Sequence, residues 1–219
     1  MQDLTIIYCS SNREPWLFEK RIIKTLLKNS GGLPIISVTQ KPINLGTNIC
    51  VGDVGASGFN FFRQSLIACK AAKTKYVISA EADCIYPPDY FQFKPEKDNV
   101  FYRNTNIYVL GLHNNSYRLK PQGSTFAQIV NREHYIEVLE KLFDGCPEWD
   151  ATDKNFPKGR WKKSDVPDIQ EFFESKNPCV SFKTGKGMRL TSPVNNTPIE
   201  SIDYWGAGRL LRKKFLTNI

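Results

Sequence analysis

The chain has 219 residues, is 41% hydrophobic and carries a formal net charge of +8, which fits one large domain, or a domain with an appended lobe, able to bury a sizeable core. No stretch reaches the ~18–20 consecutive apolar residues of a membrane-spanning helix, and "MQDLTIIYCSSNREP" lacks a basic region leading into a signal-length apolar core, so a soluble, cytoplasmic protein is expected. The six cysteines (Cys9, Cys50, Cys69, Cys84, Cys146, Cys179) form no C-x-x-C pair and no Cys/His knuckle, which argues against a zinc site or a disulfide framework and for reduced, mostly buried thiols.

In chain order, "LTIIYCSS" (Leu4 to Ser11) reads as a buried strand running into a loop. "PWLFEKRIIKTLLKN" follows with apolar residues at helical spacing and Gly31-Gly32 as a stop. "PIISVTQ" (Pro34 to Gln40) is a second strand; a Gly-rich loop, "NICVGDVGASG", leads into the helix "NFFRQSLIACKAAKT" and the strand "KYVISA" (Lys75 to Ala80). This order predicts an α/β fold with a mostly parallel sheet and right-handed crossovers, whose ligand lies beyond the carboxyl ends of the strands. Ser10, Ser11, Asn12 and Arg13, then Asp53, then Glu81 and Asp83 all follow such ends, around one crevice.

From about Asn99 the character changes. "NVFYRNTNIYVLGLH" suggests one or two antiparallel strands, and "REHYIEVLEKLF" (Arg132 to Phe143) a helix with Tyr135, Val138, Leu139 and Leu142 on one face. Gly145 to Pro167 reads as a long loop, "VPDIQEFFESK" as a short helix, "PCVSFK" as a strand and "SIDYWGAGRLLRKKF" as a closing basic helix. His134 sits within a helix, where a structural role is expected; His113 lies in the polar loop "GLHNNSYRLKPQGS", which is placed to border an acceptor pocket. From Asn155 onward twelve Lys/Arg face six Asp/Glu, an excess that suits a polyanionic partner or simply a solvated face.

The strand "KYVISA" stops on Glu81-Ala82-Asp83. Residues i and i+2 of a strand share a face, so the two carboxylates can converge. Mg²⁺ or Mn²⁺ takes one or two carboxylates and completes its shell with water and substrate phosphates. A solvated turn with incidental acids is the bland alternative.

"GASGFNFFRQSLIACKAAKTKYVISAEADCIYP" resembles the central signature of family 2 glycosyltransferases of the GT-A fold: a Gly/Ser turn (Gly55 or Gly58, and Ser57), a helix bearing Arg63, an apolar strand and a D-x-D-like pair, Glu81 and Asp83. Small bacterial and phage proteins of that group resemble it more closely, through "PIISVTQKPI", "NICVGDVG" and "AEADCIYPPDYF", a likeness covering Leu4 to Phe91. The resemblance implies a GT-A (Rossmann-like) sheet flanked by helices with an antiparallel acceptor-side extension. Residues 1–98 would be the nucleotide-sugar half and 99–219 the acceptor half. It also implies a UDP-sugar donor and a Mn²⁺ or Mg²⁺ cofactor. Ser10, Asn12, Arg13 and Asp53 would hold base and ribose, with Arg63 near the uridine or bracing the acids. Asp83 would bind the cation, with Glu81 on the ribose or on a metal-bound water.

In "FFESKNPCVSFKTGKGMR", Thr184 stands where relatives carry His and Ser181 where they carry Asp, so Lys183, Lys186 and Arg189 are the residues to neutralise a leaving diphosphate. Glu171, Asp168 and Asp165 are the candidate catalytic bases. Trp161 within "KGRWKK", and Tyr204 and Trp205 beside basic residues, suit nucleic acid. Combined with the resemblance to phage proteins, this makes a hydroxymethylpyrimidine in DNA the expected acceptor, with a glycan acceptor and a non-catalytic nucleic-acid-binding module as alternatives. A sugar nucleotidyltransferase would need a Gly-rich "GxGTR" loop after the first strand, and "YCSSNREP" has none.

Overall fold

The computed structural model describes residues 3–111, 113–152, 154, 169–184, 195 and 197–218. The first half follows the expected order: β1 (Leu4–Ser10), α1 (Trp16–Asn29), β2 (Ile35–Thr39), β3 (Thr47–Cys50), α2 (Gly58–Ala71) and β4 (Tyr76–Glu81). Next come β5 (Cys84–Ile85), β6 (Phe101–Asn104), β7 (Ile107–Gly111), β8 (Tyr117–Leu119), β9 (Gln128–Asn131) and α3 (Arg132–Phe143). The chain closes with β10 (Gln170–Phe173), β11 (Cys179–Lys183), β12 (Ser201–Ile202), β13 (Gly206–Ala207) and α4 (Gly208–Leu216).

A seven-stranded sheet runs in the order β10-β6-β9-β4-β1-β2-β3. β3, β2, β1 and β4 are parallel neighbours, β10 is parallel to β6, and β9 alone runs against its partners β4 and β6. Every residue of β1 is buried, because both sheet faces are covered, as parallel sheets require. Alternation sorts the side chains. Ile7, Val77 and Val130 point to the layer of α2 and α3, whereas Ile6, Tyr8 and Ile78 join Ile23 and Leu26 of α1 and the aromatics Tyr86, Tyr90 and Phe91. A second sheet, β5-β11-β7-β8, packs Val180, Phe182 and Leu110 with Phe18 and Ile22 of α1 and Leu211 and Phe215 of α4. Four of the six cysteines are buried and all are free thiols. Among the described residues no helix is long and apolar enough to cross a membrane.

Four expectations are corrected. Residues 170–173 form a strand where a helix is predicted: β10 pairs with β6, and alternation puts Phe173 inward, stacked on Phe93 at 4.0 Å, while Phe172 is 62% exposed. Two adjacent phenylalanines serve a two-faced edge strand better than one helical stripe. The start of the predicted Gly-rich loop is the edge strand β3, so Asp53 follows the third strand rather than the second. β6 and β7 do not pair with each other but enter different sheets. The predicted closing helix begins late, after a β12/β13 hairpin that turns through Tyr204 (φ 66°) and Gly206 (φ 72°).

The β2–β3 turn depends on Gly46, whose φ is +57° and where a Cβ would lie 2.2 Å from the Ile35 carbonyl oxygen. Gly46→Ala is expected to cost about 2 kcal/mol or more, measured as a fall in the urea midpoint at unchanged slope.

Candidate functional site

β1 and β4 are parallel neighbours, with Cys9 opposite Glu81, so the loop after β1 and the acids after β4 emerge at one sheet edge. Beyond Glu81 the chain turns into β5, which pairs with β11 through Cys84 and Ser181, and the Phe182 N–H donates to the Asp83 carbonyl at 2.8 Å. The acids therefore stand at the seam between the two sheets. Tyr86 fixes them from below: its hydroxyl accepts from the Glu81 N–H at 3.0 Å and donates to the Phe126 carbonyl at 2.8 Å. Its ring stacks on Tyr90. The "IYPPDYF" that follows the acids is thus their buried footing.

The carboxylates of Glu81 and Asp83 and the Cys84 thiol lie within 4.8 Å of one another. The thiol donates to Asp83 Oδ1 at 3.3 Å, and burial, followed by the two acids, pushes its pKa up. Cys84 thus orients Asp83 as a protonated donor. Burial raises the pKa of both acids, and Asp83's charge adds to the rise at Glu81; Lys183 and Lys120 oppose it. Lys120 is buried, and burial together with Lys183 pushes its pKa down to about 8. Its ammonium donates to Ser124 Oγ at 2.8 Å and lies 5.2 Å from the centre of the Phe126 ring.

These groups line a cavity of about 610 Å³, the size range of small-molecule sites. The turn Gly55-Ala56-Ser57-Gly58 and the start of α2 also line it. Ser57 caps that helix by accepting from the Asn60 N–H, and Asn60 holds the turn by donating to the Val54 and Gly55 carbonyls while accepting from the Asp150 N–H. Gly55 has φ +79° and would bring a Cβ to 2.5 Å from that of Ala151. Gln64 ties the floor together, donating to the carbonyls of Ser10 and Val38 at the ends of β1 and β2. The start of a helix favours anionic groups, and here it lines the same cavity as Lys120, Lys183 and the two acids. Two converging carboxylates suit a hard divalent cation, so the donor set fits Mg²⁺ or Mn²⁺.

Of the residues singled out by sequence, Ser10, Arg13, Glu81, Asp83 and Lys183 line the cavity. Asn12 sits beside it: at φ 51° its side chain accepts from the N–H groups of Gln40 and Lys41, locking the β1 loop onto the end of β2. Asp53 is exposed and Arg63 lies outside the lining, the latter over the Phe143 ring at 4.0 Å and donating to the Pro147 carbonyl at 2.6 Å. Arg63 therefore braces α2 against α3, not the acids.

Glu171 is on edge strand β10, paired with Lys97 and outside the lining, which sets it apart from the acids. Asp165, Asp168, Lys186, Arg189 and Trp161 lie outside the described residues. His113 is exposed, and His134 packs edge-on against Phe101. Thr184, in the position compared with His, donates its hydroxyl to Glu14 Oε1 at 3.0 Å.

Glu14, Lys120, Ser124 and Ser181 are among the other polar residues of the lining. Sequence reasoning assigned none of them a role, although Lys120 and Ser124 belong to the polar loop expected to border a pocket.

No family model matches the chain, and no curated protein does. Among solved structures, the glycosyltransferase GlyE of Streptococcus pneumoniae TIGR4 overlays 78% of this chain and 45% of its own at 11% identity and TM-score 0.48. S. aureus TarS 1-349, solved in complex with UDP-GlcNAc, overlays 87% of this chain and 61% of its own at 11% identity and TM-score 0.46. The inositol-1-phosphate CTP transferase of T. maritima overlays 98% of this chain and 97% of its own at 9% identity and TM-score 0.47. This chain spans between 36% and 61% of the TarS and GlyE chains. The TM-scores of these three overlays are all under 0.5.

Asn60 is buried and its amide is used at both ends. Asn60→Ala is expected to cost about 2–3 kcal/mol by stranding those partners. Chemical denaturation measures the loss, and proteolysis should cut the 55–58 turn faster than in the parent chain.

Proposed function

We propose that the chain transfers a sugar from a nucleotide-diphosphate sugar, of the uridine type, to an acceptor hydroxyl. The observation that carries this reading is the convergence of Glu81 and Asp83 within a cavity that also holds Lys120, Lys183 and the start of α2. That set offers a place for a diphosphate: cations and a helix start for its charge, and carboxylates for the cation that accompanies it. Glu81 and Asp83 would hold Mg²⁺ or Mn²⁺, which when bound supplies positive charge to a departing diphosphate.

The remaining roles fall on the chain's own groups. Ser10 and Arg13 face the cavity from the β1 loop and are assigned to the nucleoside, with Asn12 positioning that loop. Lys120 and Lys183 are assigned to the phosphate oxygens. Transfer breaks the bond between the anomeric carbon and the diphosphate oxygen and forms one to the acceptor oxygen, whose proton passes to a base. Asp165 and Asp168 remain the acids proposed for that step on sequence grounds. Asp53, Arg63 and Glu171 take no part in it.

For the acceptor, the hydroxymethylpyrimidine of DNA is supported by the basic α4 and the exposed Tyr204. A glycan hydroxyl is the second reading, favoured by Trp205: its indole N–H donates to the Pro178 carbonyl at 2.6 Å, so this ring is engaged by the fold rather than offered to a base.

UDP with Mn²⁺ is expected to raise the melting temperature of the parent chain and to leave that of Asp83→Ala unchanged. Incubation with UDP-sugars and hydroxymethylcytosine or hydroxymethyluracil DNA should add a hexose mass to the nucleoside, at a rate at least ~100-fold lower for Asp83→Ala and for the Lys120→Met, Lys183→Met double variant. A mass increment on an oligosaccharide alone would move the acceptor to a glycan. DNA binding without turnover of any nucleotide sugar would leave a binding module.

A further inference from the structure

α1 and α4 are joined side by side. Arg21 of α1 donates to the carbonyls of Phe215 and Thr217 at the end of α4, both at 2.8 Å. Together the two helices carry eight cations (Lys20, Arg21, Lys24, Lys28, Arg209, Arg212, Lys213, Lys214) and one carboxylate, Glu19, which is buried and accepts from Tyr8. The pair of helices thus accounts for nearly all of the net charge of +8. Elsewhere the exposed lysines are mixed: Lys70, Lys75, Lys97 and Lys141 each have a carboxylate partner, whereas Lys41, Lys73, Lys94, Lys154 and Lys176 are scattered singly and, among the described residues, in no ion pair. Among the described residues none of Lys20, Lys24, Lys28, Arg209, Lys213 and Lys214, all exposed, is in an ion pair.

The same surface is apolar. Of the seven exposed large hydrophobic residues among those described, Trp16 (58%), Leu17 (49%), Leu27 (53%) and Leu210 (57%) lie on these helices, and Tyr204 lies in the turn that feeds α4. At 100° per residue, Trp16, Leu27, Lys20, Lys24, Leu17 and Lys28 fall in one arc of α1, cations and apolar groups interleaved. Arg209, Lys213, Leu210 and Lys214 do the same on α4.

We infer that this two-helix face docks on an anionic lipid bilayer. Lysines attract the headgroup charge, while leucine and tryptophan side chains gain by entering the acyl boundary. A nucleic acid would use the cations but offer nothing to Leu17, Leu27 and Leu210, so lipid matches the whole face and a polyanion only half of it. α1 starts directly after the loop that lines the cavity with Arg13 and Glu14, so docking would bring the cavity close to the lipid surface. The inference does not depend on sugar transfer, but it competes with a DNA acceptor for α4 and Tyr204.

The test is co-sedimentation of the full chain with vesicles of phosphatidylcholine, alone or with about 30 mol% phosphatidylserine. Binding to the anionic vesicles is expected to exceed that to neutral ones at least ~10-fold and to weaken with salt, each removed cation costing about fivefold. Lys213→Glu with Lys214→Glu, and separately Leu27→Ser with Leu210→Ser, should each release the protein from anionic vesicles. These positions are exposed, so thermal melts of the variants should match the parent; if either variant fails to fold, the anionic-to-neutral comparison and the salt series on the parent chain still decide. The proposal is overturned if the parent chain does not pellet with anionic vesicles, if the leucine variant binds them like the parent, or if duplex DNA is bound in their place with no loss in the leucine variant.

Discussion

Two carboxylates held next to each other and away from water repel one another and lose hydration, a cost of several kcal/mol per ion when nothing offsets it. Asp83 is buried and Glu81 half-buried beside it, and the surroundings read as the response. Lys183 and Lys120 supply positive charge from β11 and from the loop after β8, the Cys84 thiol donates to Asp83, and the Tyr86 hydroxyl holds the backbone of Glu81. Cys84 and Tyr86 come from the segment that follows the acids, but Lys183 and Lys120 come from β11 and the loop after β8, so the site exists only once both sheets have assembled.

That dependence explains the second sheet. β4 delivers Glu81 to the edge of the seven-stranded sheet, and β5, two residues long, is enough to carry Asp83 across to β11. β11 then brings Ser181 and Lys183 into the lining and Phe182 into the core with Phe18 and Phe215. One five-residue strand therefore both anchors α1 and α4 and supplies a cavity cation.

The parts legible in the sequence were those whose structure is decided by burial on both faces or by a full helical stripe. β1, β2, β4, β11 and α3 are continuous apolar or periodic segments, and any partner on either side leaves them as they are. The edge strands β3 and β10 were not legible, because half-exposed segments take their form from the neighbour that pairs with them. Side-chain roles divide in the same way. Glu81, Asp83, Ser10 and Arg13 follow strand ends, and topology alone gathers strand ends. Arg63 looked equally well placed, but its guanidinium stacks on Phe143, eighty residues away, and no local pattern announces such a contact. Lys120 was missed for the complementary reason: a lysine in a polar loop looks solvated until the fold buries it under Phe126.

Thr184 ties two edges of the site together instead of offering it a ligand. An imidazole there would be a strong ligand for a divalent cation, whereas a threonine hydroxyl is a weak one. Here the hydroxyl is spent on Glu14, tying the end of β11 to the loop before α1. The tie anchors the residue next to Lys183, which lines the cavity with the acids and opposes the rise in their pKa values. On the proposed reading, charge that a third metal ligand would help to concentrate is supplied instead by two lysines fixed in the protein. Of these, Lys120 is the more telling, because a cation kept out of water loses hydration of its own and therefore gains most from an anion brought into contact with it.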